Sequence, residues 1–283
     1  MTKRLVITGA GGFLGGHLVK AARAQGFQVL AIQRRQEGDA LAFDSPELEI
    51  SLSDYDPDAV VHLAAAYGNE AKGAGLNANL MLPLRLLNWA TSQRNVKFIA
   101  TGSFWQFGDQ ECSAAVDYYS ASKQALAVYL EYFRQREKLE VYQLVLSSTY
   151  GPGDTRGKLV DYLIRQAHCG LPAKLGDSGK CFSLTDVRDV VSAIMTLINS
   201  PVPLPQVSYR VRQEHLYSFA ELSAMLADLG CPVQLNFKLH QSETVENALP
   251  ADSLLPPLPG WFPRYQLEDY VRQKLKDLNS AAS

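Results

Sequence analysis

Short apolar runs alternate with amphipathic segments along the first half of the chain. The apolar runs predict strands at residues 4–8, 27–32, 59–66, 96–100 and 141–146. Segments with apolar residues at helical spacing predict helices at residues 17–25, 77–91 and 120–136. Strands that alternate with helices indicate βαβ units, a parallel sheet and right-handed crossovers. The pattern therefore predicts an α/β fold with a doubly wound parallel sheet.

The second half of the chain is patterned less regularly. Its predicted elements are helices at residues 159–169, 187–199 and 218–229, a strand at 207–211, and a last helix after a Pro-rich stretch at 250–263. We expect residues 1–155 to form the sheet domain and residues 156–283 to form mainly a smaller lobe. The helix near 187–199 should return to the first domain. A ligand is expected in the cleft between the two.

Three glycines follow the first predicted strand and precede a helix. Gly9, Gly12 and Gly15 have the spacing that lets a backbone turn tightly, approach a diphosphate and pack the helix on the strand. The N–H groups of the helix N-terminus then face the phosphates. This context predicts a dinucleotide site at the end of the first strand. A Gly-rich turn without a ligand is the alternative.

The residues after the second strand bear on which dinucleotide is bound. An acidic residue there binds the 2′-hydroxyl of the adenosine ribose, whereas an arginine accommodates a 2′-phosphate. The chain has Gln33, Arg34 and Arg35 at this point. NADP is therefore predicted in preference to NAD, with Arg34 as the first candidate for the phosphate contact. The alternative is that these arginines are only solvated.

Tyr119 and Lys123 lie four residues apart in a predicted helix, so both side chains share one helical face. A cation beside a phenol favours the phenolate, so we expect Lys123 to lower the pKa of Tyr119 and the pair to move protons. Ser103 stands at the end of the preceding strand, where a donor could polarise a carbonyl group. The alternatives are an exposed Tyr and Lys and a turn serine. His62, in a buried strand, is interpreted as a core histidine.

Ordered motifs extend over nearly the whole chain. They are TGAGGFLG at residues 8–15, DAVVHLAA at 58–65, SFWQFG at 103–108, YSASK at 119–123, YGPGD at 150–154, DVRDVV at 186–191 and GWFPRYQLEDYV at 260–271. In type, order and spacing they resemble the sugar-nucleotide branch of the extended short-chain dehydrogenase/reductase family. The resemblance implies a Rossmann-type NADP-binding domain with a smaller C-terminal substrate-binding lobe.

The resemblance also implies a site. The catalytic residues would be Ser103, Tyr119 and Lys123. The cofactor would contact Gly9, Gly12, Phe13, Leu14, Gly15, Arg34, Arg35, Leu63, Ala64, Ala65, Asn79, Tyr119 and Lys123. The substrate would contact Tyr67, Ser103, Phe104, Trp105, Ser148, Lys180 and Arg210. Three stretches depart from the family pattern: Phe182 replaces an arginine, Ser148 an asparagine, and residues 210–214 an N-V-G-S-G segment.

Within the family, the chain is most similar to the NADPH-dependent reductases of nucleotide-diphosphate 4-keto-6-deoxy sugars. Phe104 and Trp105 stand where dehydratases carry an Asp-Glu pair, which argues against 4,6-dehydration. Two alternatives stay open. One is an NAD-dependent C4 epimerase, and the other is a non-catalytic NADP-binding module that senses redox state.

Composition and charge exclude several function classes. The 283 residues include 27 basic and 29 acidic side chains without a basic run, so no nucleic-acid partner is expected. No run approaches the ~20 apolar residues of a membrane span, and the N-terminus leads directly into a strand, so we expect a cytoplasmic protein without a membrane partner. Cys112, Cys169, Cys181 and Cys231 lack metal-ligand spacing, which predicts unpaired thiols and no metal site.

Two helices carry apolar residues on more than one face. One contains Leu80, Leu84 and Leu87, and the other contains Leu126, Val128, Tyr129, Leu130, Tyr132 and Phe133. A helix packed only on a sheet needs one apolar stripe, so the surplus predicts a second partner. The family resemblance implies that these helices form a four-helix bundle in a homodimer. Coverage of the surplus by the C-terminal lobe is the alternative.

Overall fold

The structure, a computed structural model, describes residues 3–34, 40–67, 72–93, 95–108, 114–177, 179–239 and 250–282. The chain divides into two compact units. The first unit contains Met1–Leu146, Val191–Val211 and Pro250–Trp261. The second contains Ser147–Val190, Arg212–Leu249 and Phe262–Ser283.

The elements up to residue 146 alternate strand and helix as the pattern predicts. They are β1 (Arg4–Thr8), α1 (Phe13–Ala24), β2 (Gln28–Gln33), β3 (Leu41–Ala42), α2 (Leu48–Tyr55), β4 (Ala59–His62), α3 (Ala74–Leu76), a π-helical turn (Asn77–Met81), α4 (Leu82–Ala90), β5 (Lys97–Ser103), a 3-10 helix (Phe104–Phe107), α5 (Tyr118–Arg136) and β6 (Glu140–Leu146).

The later elements are shorter. They are β7 (Ser148–Tyr150), α6 (Leu159–His168), β8 (Ala173–Asp177), β9 (Cys181–Phe182), β10 (Leu184–Asp186), α7 (Val187–Asn199), β11 (Ser208–Val211), β12 (Tyr217–Ser218), α8 (Phe219–Asp228), β13 (Leu235–Leu239), α9 (Pro250–Leu254) and α10 (Leu267–Ala282). Helix α7 begins in the second unit and ends in the first.

Seven strands of the described chain form one sheet in the first unit. Their order is β11-β6-β5-β4-β1-β2-β3, and every neighbouring pair is parallel. The predicted doubly wound α/β fold is therefore confirmed. Register pairs Thr8 with His62 and Ser103 with Leu146, so these four strand ends lie along the carboxyl edge of the sheet. That edge is where such sheets bind ligands.

A continuous apolar core joins this sheet to helices α2, α4 and α5. Alternate strand residues such as Val6, Val60 and Phe98 point into it. Leu126 and Leu130 of α5 are fully buried in the same core. Burying an aliphatic side chain contributes about 1.5 to 3 kcal/mol, so this core holds α5 firmly on the sheet. The side chains of α5 that face the carboxyl edge are thereby fixed in place.

The described residues of the second unit form three two-stranded sheets that the sequence pattern did not predict. The pairs are β7 with β10, β8 with β13, and β9 with β12. Phe182 lies in its core, where the ring packs edge-on against Phe219 with centroids 4.9 Å apart. Strands of two to five residues are too short to produce a periodic signal, which explains why they were missed.

Two predicted elements differ in the structure. Helix α1 begins at Phe13 instead of residue 17, because its first turn is built from glycine and apolar residues without polar periodicity. The predicted helix at 77–91 is split, since a π-helical turn precedes α4 and Pro83 lies in the first turn of α4.

The described residues show no membrane-spanning helix, because none is both long and apolar enough. Within the same residues, no group of three or more His, Cys, Asp or Glu side chains could hold a metal ion. The described cysteines, Cys169, Cys181 and Cys231, have free thiols. Cys112 lies outside the described residues.

Candidate active site

The glycine turn between β1 and α1 is packed too tightly for side chains at two positions. Gly9 has φ +68°, and a Cβ there would lie 2.7 Å from the backbone nitrogen of Ala64. A Cβ at Gly15 would overlap the carbonyl oxygen of Gly9. Gly9 therefore brings the turn against the end of β4, and Gly15 brings α1 against the turn. These are two of the effects that the sequence predicts for the glycines, a tight turn and close packing of the following helix.

Helix α1 begins with Phe13 and Leu14, after Gly12 in the N-cap position. Gly12 has no side chain with which to cap the helix. Gly12 is itself exposed, so a ligand can approach the backbone there. A helix N-terminus that follows a glycine turn suits a diphosphate, because the N–H groups and the helix dipole favour anions. These residues fit the diphosphate of a dinucleotide.

The segment after β4 is held by side chains from two other elements. Oγ1 of Thr8 accepts hydrogen bonds from the backbone nitrogens of Leu63 and Ala64, at 3.2 and 3.1 Å. Further along, Asn79 accepts from the backbone nitrogen of Ala66 at 2.7 Å and donates to its carbonyl at 3.0 Å. Direct contact of Leu63, Ala64, Ala65 and Asn79 with a cofactor stays a prediction; Asn79 is fully buried and shapes this segment.

Helix α5 carries the predicted Tyr-Lys pair at its N-terminus. Asp117 caps the helix by accepting from the backbone nitrogen of Ser120 at 2.7 Å, which fixes where the first turn begins. Tyr119 lies in that turn and is 8% exposed, whereas Lys123 is fully buried. Nζ of Lys123 lies 5.8 Å from the centroid of the Tyr119 ring. The structure thus brings the two side chains together, as their spacing predicts.

The buried ammonium group of Lys123 lacks a hydrogen-bond acceptor among the described residues. Among the residues that the structure describes, its Nζ has no hydrogen-bond partner. Burial lowers its pKa from 10.5 to about 8. A buried ammonium without acceptors is costly, so such a group is retained where a ligand supplies the missing acceptors. Ribose hydroxyls of a dinucleotide are acceptors of this kind, and Lys123 therefore fits the predicted cofactor.

The pKa of Tyr119 differs from the expectation. Burial raises its pKa well above 10, and the neighbouring Tyr67 raises it further through its charge and a side-chain hydrogen bond. The two rings lie 4.4 Å apart between centroids. The expected lowering of this pKa by Lys123 was wrong, because burial outweighs a cation that lies beside the ring. Tyr119 accordingly carries its proton at neutral pH.

Ser103 ends β5 and caps the following 3-10 helix. Its Oγ accepts from the backbone nitrogen of Trp105 at 3.3 Å, so the hydroxyl proton stays available for another acceptor. Its backbone nitrogen donates to Oε1 of Gln106 at 3.0 Å. Helix α5 packs on both β5 and the 3-10 helix, which places Ser103 beside the helix that carries Tyr119 and Lys123.

Two functional candidates were not predicted from the sequence. Gln106 and Gln143 are almost completely buried and bond to each other at 3.0 Å. Nε2 of Gln143 also donates to the carbonyl oxygen of Lys123 at 3.1 Å. Gln143 interrupts the otherwise apolar strand VYQLVL, and a polar residue in a buried strand requires a buried partner. That interruption was the signal available in the sequence.

The residues that bear on cofactor choice lie at the end of β2. Arg34 is exposed. Gln33 reaches back over the glycine turn, since a Cβ at Gly11 would lie 3.3 Å from its Oε1. Arg35 lies outside the described residues. The proposed contact of Arg34 with a 2′-phosphate stays a prediction.

The predicted substrate contacts are distributed over both units. In the first unit, Tyr67 and Trp105 are 54% and 43% exposed, and Phe104 packs edge-on against Trp105. Arg210, in the same unit, donates to the carbonyl oxygens of Asp252 and Leu255. In the second unit, Ser148 begins β7 and Lys180 is exposed. Substrate binding by these residues stays a prediction.

The chain matches the family model of the NAD dependent epimerase/dehydratase family over residues 5–209. Two relatives are CDP-abequose synthases, which confirms the resemblance to the sugar-nucleotide branch. The enzyme from Yersinia pseudotuberculosis is 29% identical over 70% of this chain and 74% of its own length. The enzyme from Salmonella typhimurium is 26% identical over 97% of this chain and 98% of its own.

Similar folds are found among solved structures. The crystal structure of UDP-glucuronic acid 4-epimerase from Bacillus cereus, in complex with UDP-glucuronic acid and NAD, superposes with a TM-score of 0.79 at 18% identity. The match covers 97% of this chain and 99% of that one. At this identity the likeness shows the fold, and the fold agrees with the seven-stranded sheet described above.

Proposed function

Because the chain belongs to the NAD dependent epimerase/dehydratase family, we propose that it reduces the C4 keto group of a nucleotide-diphosphate-linked 4-keto-6-deoxy sugar with NADPH. The observation that carries this proposal is that Tyr119 and Lys123 are both buried and lie together on the helix that packs against the end of β5 and the 3-10 helix. The CDP-abequose synthases among its relatives support a deoxysugar substrate. Reduction of a ketone requires a proton donor, since hydride addition turns the keto oxygen into an alkoxide that must be protonated to give the hydroxyl group.

Each catalytic side chain has a distinct part in this proposal. NADPH, when bound, supplies the hydride. Ser103 uses its available hydroxyl proton to hydrogen-bond the keto oxygen, which stabilises the negative charge that develops there. Tyr119 gives its proton to that oxygen. Lys123 donates hydrogen bonds to the ribose hydroxyls, which supply the acceptors that its buried ammonium lacks in the free protein. Its positive charge then favours loss of the phenolic proton of Tyr119. Burial of all three groups excludes water and strengthens these interactions.

The proposed preference for NADPH rests on the end of β2. Gln33 offers no carboxylate to a ribose 2′-hydroxyl, and it occupies the space above Gly11. Arg34 is exposed beside it and offers a cation to a 2′-phosphate. The NAD in the Bacillus cereus epimerase belongs to a protein of only 18% identity, so it does not bear on this choice.

The proposal is tested by following NADPH absorbance with a panel of CDP-, dTDP- and UDP-linked 4-keto-6-deoxy sugars. Tyr119→Phe should lower kcat by roughly 10² to 10⁴ with the fold unchanged, because it removes the proton donor. Tyr118→Phe is the matched control, since Tyr118 is the exposed neighbour in the same helical turn. No NADPH oxidation with any sugar, or near-normal turnover by Tyr119→Phe, would refute the proposal.

A second candidate is a C4 epimerase, in which one bound sugar is oxidised and then reduced again. The family match favours it, because the same catalytic groups can act in both directions. An epimerase needs Tyr119 to accept a proton first, which the raised pKa of the free protein disfavours. Tightly retained NAD⁺ in the purified protein, with interconversion of sugars and no net change in absorbance, would favour this alternative.

We also propose that the protein forms a homodimer through α4 and α5. Val128, Tyr129 and Tyr132 of α5 are 69%, 44% and 50% exposed, whereas Leu126 and Leu130 are buried in the core. Three exposed apolar side chains on one helix suit a helix-helix interface. The twofold four-helix bundle implied by the family resemblance would cover them.

A further inference from the structure

Three hydrogen bonds connect Ser103 to Lys123 through two side-chain amides. The backbone nitrogen of Ser103 donates to Oε1 of Gln106 at 3.0 Å. Nε2 of Gln106 donates to Oε1 of Gln143 at 3.0 Å. Nε2 of Gln143 then donates to the carbonyl oxygen of Lys123 at 3.1 Å. The chain joins the end of β5 to the first half of α5 through β6.

The direction of this chain is fixed by its two ends. A backbone nitrogen can only donate and a backbone carbonyl can only accept. The backbone groups of Ser103 and Lys123 therefore fix which atom of each glutamine amide donates and which accepts. Gln106 must therefore present its oxygen to Ser103 and its NH₂ group to Gln143. Gln143 must then turn its own NH₂ group to Lys123. Rotating either amide by 180° would place like atoms against each other and break two bonds.

The surroundings leave the two amides little freedom. Gln106 is 1% exposed and Gln143 is completely buried. They pass directly over Gly102, where a Cβ would lie 2.8 Å from both Oε1 of Gln106 and Cδ of Gln143. Glycine at this position is thus required by the amide pair. In this buried setting a broken link would leave polar atoms unpaired, so the chain resists distortion.

We propose that Gln106 and Gln143 are positioning residues, which hold the Ser103 hydroxyl and the Lys123–Tyr119 turn of α5 in the mutual geometry that the reaction needs. This inference rests on the proposed ketoreductase function and adds two residues to it. Neither glutamine touches a reacting group. Their effect passes through the backbone of Ser103 at one end and of Lys123 at the other. A shift of about 1 Å between catalytic groups costs roughly 10²-fold in rate, so small changes in the chain should be measurable.

The test is a split between kcat and KM in Gln106→Met, Gln143→Met and the double variant. Each single variant should lower kcat 10- to 100-fold, with KM for NADPH and for the sugar changed less than threefold. All three variants break the same chain of hydrogen bonds. The double variant should therefore lower kcat by about the same factor as either single variant, and not by the product of the two factors. Unchanged kcat, or multiplicative losses, would overturn the proposal.

Tyr142→Phe is the matched control. Tyr142 is the neighbour of Gln143 in β6, is also fully buried, and its hydroxyl accepts from the backbone nitrogen of Leu204 at 2.8 Å. Loss of this hydroxyl should lower stability without lowering kcat. If Gln143→Met acted only by destabilising the fold, Tyr142→Phe would lower kcat to the same extent. Equal kcat losses in Tyr142→Phe and Gln143→Met would therefore overturn the positioning role.

Amide hydrogen exchange provides a readout that needs no substrate. In Gln143→Met the Ser103 amide should exchange at least tenfold faster, because Gln106 loses the partner that orients it. An inactive wild-type protein would refute the proposed function, and this measurement would still decide whether the chain holds Ser103. Unchanged protection of the Ser103 amide in Gln143→Met would overturn the inference on its own.

Discussion

Replacing Lys123 by methionine should make the cofactor-free protein more stable at neutral pH. The ammonium is fully buried, and no described residue forms a hydrogen bond with Nζ. Methionine has similar length, no charge and no polar hydrogen, so it fills the same space without the cost of desolvation. The expectation is unusual for a catalytic residue, since most substitutions destabilise.

The magnitude follows from the lowered pKa. A change in pKa from 10.5 in the unfolded chain to about 8 in the folded protein corresponds to about 3 to 4 kcal/mol, at roughly 1.4 kcal/mol for each pKa unit. Between these two values the unfolded chain binds more protons than the folded protein, so the wild type gains stability as pH rises through this window. The advantage of Lys123→Met should therefore fall from about 3 kcal/mol at pH 7 to about 2 at pH 9 and about 1 at pH 10.

The assay is urea unfolding of both cofactor-free proteins at several pH values. The difference between the two free energies of unfolding cancels the titration of all other groups. Lys97→Met is the matched control, because Lys97 is also buried but donates to the carbonyl of Leu197 at 2.7 Å and pairs with Glu140 at 3.1 Å. Removing that lysine should lower stability. A difference between wild type and Lys123→Met that stays constant from pH 7 to pH 10 would refute the reasoning.

Three further predictions concern the cofactor, the β4 segment and assembly. Arg34→Ala should reduce the kcat/KM preference for NADPH over NADH by at least about tenfold, because one charge-assisted contact is lost; an unchanged ratio would exclude that contact. Asn79→Leu should cost about 2 to 4 kcal/mol in urea unfolding, since it leaves both backbone groups of Ala66 unpaired, whereas Asn77→Leu, at an exposed position of the same turn, should cost little. Tyr132→Glu should shift sedimentation from dimer to monomer at micromolar concentration; a wild-type monomer would contradict the proposed interface.

The sequence predicts those parts of the fold in which the apolar residues form a clear pattern or in which only glycine fits. Strands such as β4 and β5 contain short apolar runs, and Gly9 and Gly15 occupy positions where a Cβ would collide with backbone. These signals are local, so one sequence is sufficient to recognise them. The seven-stranded parallel sheet follows from them once strands and helices alternate.

The parts that could not be predicted depend on contacts between distant residues. The short strands of the second unit exist only because each pairs with a strand more than 30 residues away, as β7 does with β10. The raised pKa of Tyr119 results first from burial and then from Tyr67, which lies 52 positions earlier and holds its ring tilted against the phenol. Helical spacing identified Lys123 as a neighbour of Tyr119, but it carried no information on how deeply the pair is buried.

His62 is a buried base at the carboxyl edge of the sheet, in addition to Lys123. The groups around His62 determine whether it is charged as well. Thr8 accepts from the backbone nitrogens of Leu63 and Ala64, so its one proton is left for Nδ1 of His62, 2.9 Å away. Nδ1 is therefore an acceptor and the proton of the ring lies on Nε2. Burial, and then the charge of Lys123, lower the pKa of His62 well below its usual value. Because His62 stays neutral, it adds no second cation to this edge. In the proposed reaction, Lys123 is then the cation that can contact the ribose of a dinucleotide and stabilise the phenolate that Tyr119 leaves when it gives up its proton.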